Sequence, residues 1–130
     1  MVRKILGTLA GVVIAMLVVM LMDGLGHTLF PESAAKSMAM ADIAAALAAA
    51  PFAALAIQAS GWFLAPLIGG VVAVKLSRWS PSGLIVAGLI LAACAYNGFT
   101  IPGVPLWMQI AGIVLPLLAG FIVSRVARPA

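Results

Sequence analysis

Long apolar runs separated by short polar breaks set the plan of this chain. Residues 5–22 (ILGTLAGVVIAMLVVMLM) carry no charge. At about 1.5 Å of rise per residue such a helix nearly crosses a hydrocarbon core of about 30 Å. Its β-branched residues do not make it a strand, because an open strand leaves backbone groups unpaired in lipid. Gly24 and Gly26 then weaken helix and Pro31 stops it, so the first span is expected to end near Met22. From 43 to 74 there is again no charge, more than one perpendicular span needs. Pro51 is expected to divide this run into a short interfacial helix over the Ala-rich 38–50 and a second span at 52–76. Ser33 or Ser37 could cap the short helix. A single long tilted helix is the alternative.

The later boundaries are sharper. Lys75, Ser77, Arg78, Trp79 and Ser80 make a polar turn. Ser80 then caps and Pro81 opens the third span, 81–99, since proline suits a first helical position. The TIPGVP turn at 100–105 leads through Pro105 into the fourth span, 106–126, and a basic tail follows. The expected fold is all-α: an integral membrane bundle of four transmembrane helices in one domain over 1–130, with an extra short helix in the outer loop 23–51. The basic head, apolar run and Ala39-Met40-Ala41 box also fit a signal peptide. The box lies far beyond the apolar run, so the segment is read as a retained first span.

Composition agrees. Of 130 residues, 65% are hydrophobic and 8% charged, against about 45–50% and about 25% in soluble domains. The bilayer is therefore the expected surrounding partner. The net charge of +4 is no nucleic-acid footprint, because the cations stand in small groups without interleaved aromatics. Arg3 and Lys4, Lys75 and Arg78, and Arg125 and Arg128 fall on one side of a four-span chain. Asp23, Glu32 and Asp42, with Lys36 as their only cation, fall on the other. The positive-inside rule then puts both termini in the cytoplasm. Trp79, Phe99 and Trp107 suit the interfaces, whereas Trp62 lies deeper and is expected between helices or at a cavity. One cysteine, Cys94, excludes an internal disulfide or a Cys-based zinc cage.

Helix association in lipid needs close backbone approach. Span one carries Gly7 and Gly11, and span two carries Gly61, Ala65, Gly69 and Ala73. Span three has Gly83 and Ala87, and span four has Gly112 and Gly120. Packing within the bundle is the first use of these stripes; homo-oligomerisation is the second. Pro66 and Pro116 free the carbonyls of Trp62 and Gly112 within their spans.

Candidate chemistry collects at the outer end. Asp23 and His27 share a helix face with Met16 and Met20 if the first span continues. Thioether and imidazole suit Cu(I), with Met38 and Met40 as further ligands, but no dedicated ligand spacing is present. Proton relay by Asp23 and His27 needs both at membrane depth. Gln58, Tyr96 and Asn97, with Asp23 and His27, make a candidate outward pocket; interhelical hydrogen bonding is the plainer use. Gln109 is expected among headgroups. Ser60 has no base placed for it, and there is neither a P-loop nor an HExxH motif. No enzyme activity and no cofactor are expected.

With the PGVPLW turn at 102–107, then Pro116, Gly120 and Arg125, the chain resembles small uncharacterised bacterial four-span membrane proteins. That resemblance covers the layout and implies the inner membrane, with no activity or site residues. Its size resembles that of the small multidrug transporters, which carry a membrane-embedded glutamate in the first span. Here no acid precedes Asp23, so their activity is not implied. The leading expectation is a non-enzymatic subunit or accessory protein of a membrane assembly, packing on itself or on other subunits. The alternative is a transporter or binding protein for a small solute or metal ion.

Overall fold

Five helices order the chain in the computed structural model, which describes residues 1–31, 39–101 and 104–127. They are α1 (Val2–Leu29), α2 (Met40–Ala49), α3 (Phe52–Ser77), α4 (Pro81–Thr100) and α5 (Leu106–Val126). All but α2 are long and apolar enough to cross a membrane. Glu32, Ser33, Lys36, Ser37, Met38 and Arg128, expected to act in charge, capping or metal binding, lie outside the described residues.

Proline marks the starts of α3, α4 and α5. Ala50 and Pro51 are both extended, so α2 ends at Ala49 and α3 begins afresh at Phe52. The pre-proline restriction explains the break, and the single long helix is excluded. Pro81 occupies the first turn of α4, and Pro105 stands at the N-cap of α5.

Two local expectations are corrected. First, α1 does not stop at Met22 but runs on to Leu29. Gly26 is buried against α3, close to Ala54 and Ile57, and this packing outweighs a glycine penalty of about 1 kcal/mol. The helix then ends just before Pro31, where proline requires. Second, Ser80 makes no capping bond. The turn is closed instead by a ring of three hydrogen bonds. The Trp79 N–H donates to Ser77 Oγ (3.1 Å), Ser77 Oγ to Ser82 Oγ (2.9 Å), and Ser82 Oγ to the Trp79 carbonyl (2.7 Å). Both serines are buried.

Small side chains fill the interior and large ones face outward. The largest fully buried side chains are valines, prolines and a serine, while Leu6, Leu9, Leu17, Leu21, Leu89, Leu117 and Phe121 are exposed. That is the reverse of a water-soluble globule and is how helices pack in lipid. Helix α3 is central and touches α1, α4 and α5. On α1, Gly7, Gly11 and Ala15 meet Ser77, Ala73 and Gly69 of α3 in antiparallel register, and Met22 meets Gly61. A Cβ on Gly11 would stand 2.5 Å from the Gly69 carbonyl oxygen and 2.5 Å from Ala73 Cβ. Gly120 lies against Ala87, and Gly112 against Cys94 and Trp62. Ala65 and Ala73 join Val86, Ile90 and Cys94 in the core. Pro66 and Pro116 are buried inside continuous helices.

Charge divides the bundle into two ends. Arg3 Nε donates to the Leu76 carbonyl at 3.0 Å, and the Lys4 ammonium lies 5.1 Å from the Trp79 ring centroid. Ala127, past the end of α5, packs with Val74 of α3. These contacts bring Arg3, Lys4, Lys75, Arg78 and Arg125 to one basic end. Asp23, His27 and Gln58 meet at the other, acidic end.

Candidate functional site

The acidic end takes its shape from the length of α1. Because the helix persists past Met22, Asp23 and His27 stand one turn apart on the same face. Asp23 is about 29 Å along the axis from Lys4 at about 1.5 Å per residue, close to the ~30 Å hydrocarbon thickness. A hydrocarbon layer that began at Lys4 would thus end near Asp23; His27 stands one turn further along and is exposed. Across from them, α3 contributes Gln58, and α2 lies over the opening with Ile43 and Leu47.

Two cavities share this wall. The smaller, about 20 Å³, lies between α1, α2 and the start of α3. Asp23, His27, Leu47 and Gln58 line it, and it has room for about one water. The larger, about 150 Å³, reaches inward between α1, α3, α4 and α5. Asp23, Gln58, Trp62, Cys94, Asn97 and Met108 are among its lining residues. A closed apolar cavity of similar size accepts a molecule of about the bulk of benzene. A third hollow of about 190 Å³ continues down the seam between α1 and α4, past Met16, Met20, Trp62 and Asn97.

Neither a protein-family model, nor a curated protein, nor a solved structure matches this chain. The chemistry of the site therefore rests on its own side chains. The side chains of Asp23, Gln58 and Asn97 make no hydrogen bond to any described residue. None of their side-chain polar atoms is sealed from the cavities or solvent. An acid, an amide from a second helix and an amide from a third thus converge on one volume with bonding capacity to spare. Trp62 supplies an apolar, π-rich wall.

Of the five residues proposed for a pocket, four line this pair of cavities: Asp23, His27, Gln58 and Asn97. Tyr96 does not. It is 70% exposed on α4, one position and hence about 100° round the helix from Asn97. The thioether candidates are dispersed. Met16 and Met20 line the lower hollow, Met40 is exposed at the start of α2, and His27 lines the upper cavity. Among the described residues no three His, Cys, Asp or Glu side chains cluster for a metal.

Gln109 is also corrected. Rather than meeting headgroups, its Nε2 donates to the Gly98 carbonyl at 2.9 Å, tying α5 to α4 beside the site. The signal lay in the sequence. Gly98 would pair with the N–H four residues on, but Pro102 has none. Ser60 Oγ donates to the Ile57 carbonyl, an ordinary helix back-bond.

Proposed function

We propose that this chain is a non-catalytic membrane protein that binds a small solute in its acidic-end cavity. The solute carries a cationic or hydrogen-bond-donating group and a compact apolar body. One observation carries this reading: Asp23, Gln58 and Asn97, from three helices, face a shared cavity with unused hydrogen-bonding capacity. Asp23 would accept from the polar group, and Trp62 would take the apolar or cationic face. The subunit reading draws on the glycine stripes. Gly7, Gly11, Gly61, Gly69, Gly112 and Gly120 are all taken up inside the bundle. What remains outside is an apolar face that lipid covers.

The sidedness we infer is that of a bacterial inner membrane, with the basic end and both termini cytoplasmic. The gathering of Arg3, Lys4, Lys75, Arg78 and Arg125 at one end supports it. The site then opens away from the cytoplasm. A cysteine at His27 should react with an impermeant reagent added outside, and one at Arg78 should not.

Binding is tested with purified protein in a neutral detergent against a panel of small amines and amides. Tryptophan fluorescence is read in a background with Trp79 and Trp107 replaced by Phe. Quenching or a shift from Trp62 is expected, lost in Asp23→Asn and weakened in Gln58→Leu. Equal binding by wild type and Asp23→Asn, with helicity unchanged, would remove the case.

A further inference from the structure

The basic end poses a separate question. Arg3, Lys4, Lys75, Arg78 and Arg125 are brought together there, yet no carboxylate of the described residues shares that end. Arg3 is held by a carbonyl, Lys4 by a ring face, and Arg125 stacks on Phe121 at 5.2 Å. None of these contacts neutralises a cation. Among the described residues, nothing at this end supplies a counter-charge.

Directly beneath Lys4, α1 and α4 part. The opening is a cleft of about 440 Å³, lined by Met1, Lys4, Ile5, Leu9, Trp79 and Ile85 along with Thr8. A second apolar hollow, about 480 Å³ along Val2, Leu6 and Leu76, touches Arg3, but the Arg3 Nε already donates to the Leu76 carbonyl. The walls of the cleft at Lys4 are exposed aliphatic side chains, open sideways to the surrounding lipid. Thr8 spends its hydroxyl on the Lys4 carbonyl at 2.6 Å, so it adds little polarity to the wall. Lys4 and Trp79 stand together at the rim, where an ammonium and an indole meet the headgroup layer.

We propose that this cleft is a binding site for one anionic phospholipid. Its phosphate pairs with Lys4 at the rim, and one acyl chain lies in the groove along Ile5, Leu9 and Ile85. Charge complementarity selects the anionic headgroup, and the apolar length of the groove selects a lipid over a free phosphate. The inference does not depend on the solute cavity at the other end, and failure of one leaves the other standing.

Native mass spectrometry of the full chain in a neutral detergent tests this. Phosphatidylglycerol and phosphatidylcholine with identical acyl chains are the probes. One tightly held phosphatidylglycerol is expected, preferred over phosphatidylcholine. Lys4→Gln should weaken it about fivefold, the weight of one basic residue at an anionic surface, and Lys4→Arg should restore it. Ile85→Trp, which fills the groove, should displace the lipid while leaving helicity intact. Glycerol 3-phosphate, the headgroup without chains, should not compete. Equal retention of the two lipids, full retention by Lys4→Gln, or competition by glycerol 3-phosphate would each overturn the assignment.

Discussion

Gly11→Ala tests the α1–α3 contact on which the rest of the bundle hangs. The added Cβ would lie 2.5 Å from both the Gly69 carbonyl oxygen and Ala73 Cβ. Carbon atoms rest at about 3.5–4.0 Å, so the helices must part by about 1 Å. A gap of that size forfeits a quarter to a half of each contact well of about 0.1–0.2 kcal/mol. Spread over on the order of 40 atom pairs along the ridge, the loss is about 1–4 kcal/mol. Helix propensity returns up to about 1 kcal/mol for Gly to Ala. Gly24→Ala is the control, because a Cβ there meets nothing within 4 Å. The propensity gain cancels between the two, leaving a difference of about 1–4 kcal/mol against Gly11→Ala. Unfolding by sodium dodecyl sulfate in mixed micelles, followed by circular dichroism, measures it. Gly69→Ala enters the same contact from the other side. One separation relieves both, so the double variant should cost less than the sum by about 0.5 kcal/mol or more. If Gly11→Ala and Gly24→Ala unfold alike, the close approach is wrong.

Two further perturbations probe the ties around the ends. Gln109→Met keeps the bulk but leaves the Gly98 carbonyl without its donor; a loss of about 1–3 kcal/mol is expected in the same unfolding assay. No measurable loss would mean that water serves Gly98 equally well. Ser82→Ala opens the Ser77–Ser82–Trp79 ring at a cost of about 1 kcal/mol or more. It should also loosen the α3–α4 turn, seen as faster amide exchange at Trp79; unchanged exchange would deny the ring that role.

How much could be read beforehand depended on whether a signal was local. The starts of α3, α4 and α5 were legible because Pro51, Pro81 and Pro105 act through their own backbone. The end of α1 was not, since Gly24 and Gly26 report a local penalty and burial against α3 decides the outcome. Spacing marked the glycine stripes as contact surfaces, but their partners required the register, with Gly11 between Gly69 and Ala73. The site was legible in part for the same reason. Asp23 and His27 depended on helix continuing through glycine. Choosing between Tyr96 and Asn97 required knowing which side of α4 faces α3, and Asn97 lines the cavity. Cys94 was missed as a wall of that cavity, although it stands one turn before Asn97.

The pairing of α1 with α3 has a consequence for how the protein is made. During synthesis α1 leaves the ribosome before α3, and the surface it needs is not complete until Ser77 has followed. Through that interval it must reside in the bilayer without α3, that face of its glycine ridge bare. It is also the most apolar of the four long helices, and α3, which arrives with a neighbour waiting, is the least. The difference in greasiness between α1 and α3 thus matches their order of insertion: the segment that waits for its partner is the one that lipid tolerates better.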